Sequence, residues 1–266
     1  MSDDPRRVMK EFWDEKAKEN AMYYISSYRD YDDQDPEEFW RWGETLTERF
    51  LRESEIPFAG DERVLEIGCG IGRMTAALAR RFREVEGIDV SEEMTRRARA
   101  ALAGTPNARV SVANGADLAG FASGSFDFVF SYLVFQHIPD PEITKGYLRE
   151  IGRVLREGGW MHVQVNGEGD APAAGGGRAA GGASGESAGA PVRARLRRLG
   201  ARAARALGIA GGRRGPSGLD CPAWRGSRLR LADVARVCGE ASLEIVRTRG
   251  EGTQYLWVTA RKRGAP

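Results

Sequence analysis

From residue 61 onward, short apolar runs alternate with stretches of helical periodicity. Val64-Leu65-Glu66-Ile67 is a short apolar run closed by glycines, and it predicts a buried strand. Residues 75–82 carry apolar side chains at helical spacing, and residues 84–89 give a second strand. A second helix is predicted over residues 91–102, with Ser91 as N-cap. Strands are predicted at residues 109–113 and 126–131. Asp140-Pro141-Glu142 then opens a helix that runs to the Gly158-Gly159 pair, since paired glycines end a helix well. A fifth strand follows at residues 160–165. After a break, a helix at residues 231–241 and strands at 243–248 and 253–261 complete the pattern. Strand, helix, strand in regular succession predicts a parallel sheet covered by helices on both faces.

The two remaining regions read differently. Residues 1–60 read as helical and acidic, with Phe12, Trp13, Tyr23, Tyr24, Tyr28, Tyr31, Phe39, Trp40 and Trp42 close together. Within them Asp35-Pro36-Glu37-Glu38 has the form of a helix start. This region is expected to form a helical cap on a core spanning residues 61–262. Residues 167–222 interrupt that core. Their first part is mostly Gly and Ala, a composition that cannot build a packed interior. Their second part holds eight arginines and no acid between Val192 and Arg214. There Val192, Leu196, Leu199, Ala203 and Leu207 form an apolar stripe on a basic helix.

The densest chemical signal is Val64-Leu65-Glu66-Ile67-Gly68-Cys69-Gly70-Ile71-Gly72. Here a strand must turn sharply into a helix, and glycines permit both the turn and the close approach of a ligand to the backbone. A dinucleotide-binding loop would need a further glycine at Arg73 or Thr75, and neither position has one. Asp89, at the end of the second strand, can accept both hydroxyls of a ribose, whereas Ser91 suits the capping of the next helix.

This G-x-G-x-G form, preceded by an acidic residue, resembles the first motif of class I S-adenosylmethionine (SAM)-dependent methyltransferases. The resemblance extends to Ser125-Phe126-Asp127-Phe128-Val129, to the loop histidine of Gln136-His137-Ile138-Pro139-Asp140, and to Arg153-Val154-Leu155-Arg156-Glu157-Gly158-Gly159. It covers residues 61–166 densely and 223–262 more loosely. It implies a Rossmann-like, doubly wound, seven-stranded α/β sheet, mostly parallel with an antiparallel last strand. It also implies SAM as cofactor, with Glu66, Gly68, Gly70 and Gly72 around its methionine and sugar parts. Asp89, with Val90 and Met94 beside it, would take the ribose. Asn114, where the family usually has an acid, would meet the adenine together with Gly115 and Asp117, and Ser131 and Tyr132 would line the site. In related proteins an N-terminal helix folds over the SAM site, and Trp13-Asp14 through Ile25 is the segment similar to it here.

Methyl transfer from a sulfonium mainly requires an acceptor held in line and water kept out. A general base is needed only for a protonated acceptor, and His137, one of two histidines, is the candidate. His162 lies within a strand and reads as a sheet residue. The expected reaction is methylation of a small-molecule O, N or C acceptor. An RNA or protein acceptor and a non-catalytic SAM-binding protein stay open as alternatives.

Composition adds three limits. Taking the eight clustered arginines from the net charge of +2 leaves −6, so basic character is local. That segment admits readings as a solvated linker helix, a lid for an acidic substrate, or a contact for a polymer or membrane surface. It lacks the aromatic interleaving that single-stranded nucleic acid prefers. Cys69, Cys221 and Cys238 are odd in number and far apart, which argues against a disulfide framework and a metal site. No apolar run approaches the ~20 residues of a membrane span. With no signal-like N-terminus, the expected setting is cytoplasmic.

Overall fold

The computed structural model describes residues 4–26, 30–167 and 215–264. Helix α1 (Pro5–Ser26) is broken at Asn20, whose backbone is extended at φ −164°, and α2 spans Pro36–Ser54. The core then follows as β1 (Arg63–Ile67), α3 (Arg73–Ala79), β2 (Glu84–Asp89), α4 (Glu92–Ala101), β3 (Ala108–Val112) and β4 (Phe126–Ser131). After a single 3-10 turn at Phe135–His137 come α5 (Pro141–Val154) and β5 (Leu155–Val165). The short α6 (Pro222–Arg225), α7 (Leu231–Glu240), β6 (Leu243–Arg249) and β7 (Leu256–Lys262) complete the chain. The Gly/Ala-rich stretch and the Arg-rich segment 192–214 lie outside the described residues.

The seven strands form one sheet in the order β3-β2-β1-β4-β5-β7-β6. The first five are parallel, and β7 runs antiparallel between β5 and β6. This is the expected architecture. Alternation along β1 and β4 divides the core. Val64, Phe128 and Phe130 pack with Phe50 of α2 and Leu78 of α3, while Leu65 and Val129 pack with Leu148 and Ile151 of α5 and Val234 of α7. Each such side chain, fully removed from water, contributes about 1.5–3 kcal/mol. Among the described residues no helix is long and apolar enough to cross a membrane.

The caps form as the local sequence predicts. Asp35 accepts from the Glu37 and Glu38 amides, Asp140 accepts from Glu142, and Ser91 accepts from Met94. Some boundaries differ from expectation, and α3 ends at Ala79 and not at residue 82. Helix α5 stops at Val154, and Gly158-Gly159 lies inside β5 instead of ending the helix. Phe126 pairs with Leu155 and Phe128 with Trp160, so the residues between Leu155 and Trp160 bulge from the ladder. Strand β7 begins at Leu256 because Gly250 and Gly252, both at positive φ, make a turn closed by Thr253 Oγ1 donating to Gly250 O.

The N-terminal region has two placements. Helix α2 lies on the sheet face against α3. Helix α1 crosses the carboxyl ends of the strands and meets α4 and α6.

Candidate functional site

The chain leaves β1 through Gly68 (φ +76°), Gly70 (φ +54°) and Gly72 (φ +85°), a backbone path that L side chains rarely adopt. The amides of Gly68 and Cys69 both donate to Ile88 O, which ties the loop to β2. Gly70 N–H donates to Asp89 Oδ2 at 2.9 Å, and Ser91 N–H to Asp89 Oδ1 at 2.9 Å. The strand-tip carboxylate thus sets the glycine loop, and its remaining lone pairs are available for other donors. Burial pushes Asp89 up to about 6, against the lowering effect of those amides.

Glu66 is 4% exposed on the α3 side of β1 and accepts from Thr75 Oγ1 at 2.6 Å. Burial raises it to about 7, although the Thr75 hydroxyl and the Arg73 guanidinium both favour its ionised form. Arg73 itself is buried, with its guanidinium 4.8 Å from the Phe39 ring. Two carboxyl groups therefore flank the glycine loop, both held above their ordinary range by loss of water.

The other residues expected at the site are dispersed. Gly115 is buried at φ +75°, and a Cβ there would lie 3.0 Å from Met9 Cε and 3.3 Å from Val90 Cγ1. It joins α1, Val90 and the loop after β3 in one place. Asn114 and Asp117 are tied to each other by Asn114 Nδ2 donating to Asp117 Oδ1, and they also cap nearby amides of their own loop. Gly72 faces Ala98 and Leu102 of α4, where a Cβ would lie 3.0 Å from Leu102 Cδ1. Met94 is buried with Ala17, Ala21, Phe39 and Ile71. Ser131 is fully buried and donates to Ile67 O at 2.9 Å, so its hydroxyl ties β4 to β1. Tyr132 stacks on Trp257 at 5.7 Å beside Phe50, on the α2 face of the sheet.

Helix α1 closes the strand tips. A Cβ on Gly70 would meet Ile25 Cδ1 at 2.8 Å, so α1 lies directly on the loop. Asp14 Oδ1 accepts from Ser91 Oγ at 2.7 Å and from Glu93 N–H at 3.1 Å, which places a carboxylate at the start of α4. Farther along α1, the buried Lys16 ammonium pairs with Glu19 at 2.7 Å. The Tyr24 and Tyr31 hydroxyls both donate to Glu19 Oε1 at 2.8 Å. Burial alone would raise Glu19, but these donors and Ser217 bring it down to about 2.

Beyond β4, Leu133 adopts φ +58°, a strained turn for a branched side chain, and the 3-10 turn that follows presents His137. Its ring lies 5.3 Å from Trp13 and 5.0 Å from Trp224, and Trp224 also meets Tyr24. Nδ1 is 2.7 Å from Trp224 O, and Nε2 is 3.1 Å from Gln136 Nε2. Burial lowers His137 to about 4, although the Trp224 carbonyl favours the charged ring. His162 hydrogen-bonds Thr259 within the sheet and stacks on Trp257 at 4.4 Å. Thr75, Asp14, Gln136 and Trp224 carry no role in the sequence reading. Asp14 and Trp224 meet partners 77 and 87 residues away, beyond any local motif.

Residues 65–163 match the methyltransferase domain family. A ubiquinone biosynthesis O-methyltransferase of Albidiferax ferrireducens is 35% identical over 107 residues, covering 40% of this chain and 41% of that protein. One from Xanthomonas oryzae is 35% identical over 104 residues, covering 39% and 42%. The chain thus spans about two fifths of the length of these curated relatives. Among solved structures, magnesium protoporphyrin IX methyltransferase of Synechocystis, with bound S-adenosylhomocysteine (SAH), superposes with a TM-score of 0.56. It is 15% identical, over 97% of this chain and 99% of that one. Phosphoethanolamine N-methyltransferase 1 of Haemonchus contortus gives 0.56 at 17% identity, over 98% and 49%. At such identities the structural likeness shows the fold, while the domain match joins that fold to the glycine loop of β1. Residues 65–163 are thus similar to the methyltransferase domain family, on a fold that the solved methyltransferase structures share.

Proposed function

We propose that this chain binds SAM at the tips of β1 and β2 and transfers its methyl group to a small molecule held between α1, α6 and the loop after β4. The observation that carries the reading is the bond from Gly70 N–H to Asp89, because it makes the glycine loop and the strand-tip carboxylate one unit. The residues fit the cofactor chemically. Gly68, Gly70 and Gly115 give a backbone path at positive φ without side chains of its own. Glu66 and Asp89 are carboxyl groups in surroundings that favour an added donor or cation.

When bound, SAM supplies a methyl group already activated on a sulfonium. Asp89 would accept the ribose hydroxyls, and Glu66 would favour the cationic methionine end. Gly115, with Val90, Asn114 and Asp117 nearby, would face the adenine. Gly68 and Gly70 would lie along the ligand, while Gly72, Met94, Ser131 and Tyr132 would hold the surrounding elements in place. Ile25 and Met9 of α1 rest on Gly70 and Gly115, so α1 would shift its side chains to admit the ligand and then exclude water. His137 is the candidate base. Its imidazole is neutral at pH 7, as a base must be, and taking a proton at Nε2 would require the Gln136 amide to turn away. The three cysteines are free, which supports a reducing, cytoplasmic setting.

The test is thermal melting with SAM, SAH and NAD. A ligand at ~100 times its Kd adds about 2.7 kcal/mol, roughly a 5–10 °C rise for a domain of this size. Both SAM species should raise the midpoint and NAD should leave it unchanged. A folded protein indifferent to both SAM species would refute the proposal.

A further inference from the structure

While His137 is neutral and its Nε2 bare, the Gln136 amide has a single orientation, fixed by its neighbours. The carbonyl of Trp224 can only accept, so His137 Nδ1, 2.7 Å away, carries the ring proton. The neutral ring then offers a bare Nε2, which only accepts. The group 3.1 Å from it must therefore be the Gln136 NH2, as found. Reversing the amide would place two acceptors face to face. The consequence falls on the other atom: Gln136 Oε1 is buried and has no hydrogen-bond partner among the described residues. Buried polar atoms are nearly always paired, and one that is not points to a donor still to be supplied, as a bound ligand would.

The surroundings restrict what that donor is. Gln136 follows β4 at the sheet's carboxyl end, where open α/β folds bind ligands. Its backbone is pressed by Gly226, where a Cβ would lie 1.9 Å from Gln136 O, so the segment after the 168–214 stretch closes directly on this turn. The rings of Trp13, His137 and Trp224 make the neighbourhood aromatic and apolar. The same surroundings that keep His137 uncharged would disfavour an ammonium donor.

We propose that Gln136 is a specificity-determining residue whose Oε1 accepts a hydrogen bond from a neutral hydroxyl of the methyl acceptor. The preferred acceptors are then uncharged, apolar-bodied hydroxy compounds, and His137 acts on selection as a positioning residue by holding the amide. This rests on the acceptor region proposed above.

The experiment uses phenol and toluene as probes, alike in shape but only one with a donor. Each is titrated calorimetrically into the full chain, alone and saturated with SAH, for wild type and Gln136→Leu. Phenol should bind wild type about tenfold more tightly than toluene, and Gln136→Leu should abolish the preference while leaving the SAH affinity unchanged. Equal responses of wild type to the two probes, including none to either, would overturn the proposal, as would a phenol preference that survives in Gln136→Leu. The wild-type comparison needs no variant to fold. Failure of the SAM reading would show separately, as absence of SAH binding with or without a phenol preference.

Discussion

The two ends of the candidate site use burial in opposite ways. At the tips of β1 and β2, loss of water raises Glu66 to about 7 and Asp89 to about 6. At the tip of β4, loss of water lowers His137 to about 4. Both changes disfavour charge, but they prepare different partners. Carboxyl groups held above their usual range gain most from a cationic, donor-rich ligand. An imidazole held neutral among Trp13 and Trp224 suits an uncharged one. The construction differs too. The first end is joined by backbone amides to a carboxylate across a parallel strand pair. The second is assembled from α1, the turn after β4, and α6.

The sharpest break of this contrast is steric. Gly68→Ala would set a Cβ 2.1 Å from Val134 Cγ2 at φ +76°, at a cost of about 2–4 kcal/mol. Gly104→Ala meets nothing within 4 Å and should stay within about 0.5 kcal/mol. Denaturant unfolding of both variants checks the pair, and equal losses would mean that the loop is not tightly seated on the segment after β4.

Titration separates the two ends next. A cationic ligand favours ionised Glu66 and Asp89, so binding should release protons and tighten as pH rises from 5 to 7.5. Below pH 6 the dependence approaches about tenfold per pH unit for each proton released. Calorimetry of SAM in buffers of different ionisation enthalpy reads this directly, and zero proton release would contradict it. Without ligand the sign reverses. The folded state holds more protons than the unfolded one, because the folded values exceed the usual 4.5 and 3.8. These two groups therefore make stability fall as pH rises through 4 to 7.

A smaller effect belongs to the link between the ends. Asp14→Ala removes the acceptor of Ser91 Oγ and of Glu93 N–H. It should cost about 1 kcal/mol and speed hydrogen exchange in α1. Unchanged exchange would show that α1 is held without this contact. The smallest change is local. With two histidines, NMR titration can follow each ring, and Trp224→Ala should move His137 from about 4 toward its ordinary 6.5. His162, which lies in the sheet, should stay near 3. Movement of both would contradict separate burial.

Features set by neighbours in sequence were legible before any coordinates. Asp35, Ser91 and Asp140 cap helices because each competes for amides two or three residues on. Apolar runs marked every strand of the sheet. The start of β5 was not legible, because the bulge between Leu155 and Trp160 depends on pairing with β4. In the candidate site, the motif marked Gly70 and Asp89 separately, and the hydrogen bond that joins them was not legible. The setting of His137 was hidden, since Trp13 and Trp224 reach it from segments 124 and 87 residues away, with no periodicity linking them. Gly72 shows the converse. Its place in the motif suggests ligand contact, while its backbone meets α4.

The central claim is that Asp89 and the glycine loop form one cofactor-binding unit. Calorimetric titration of SAH into wild type and Asp89→Ala, both checked as folded, tests it most directly. The account predicts one site per chain in wild type and a loss of about 2–4 kcal/mol in the variant, since hydrogen bonds to charged groups are worth ~1.5–3 kcal/mol each. Equal affinity in the two proteins, or no binding to wild type, would contradict it.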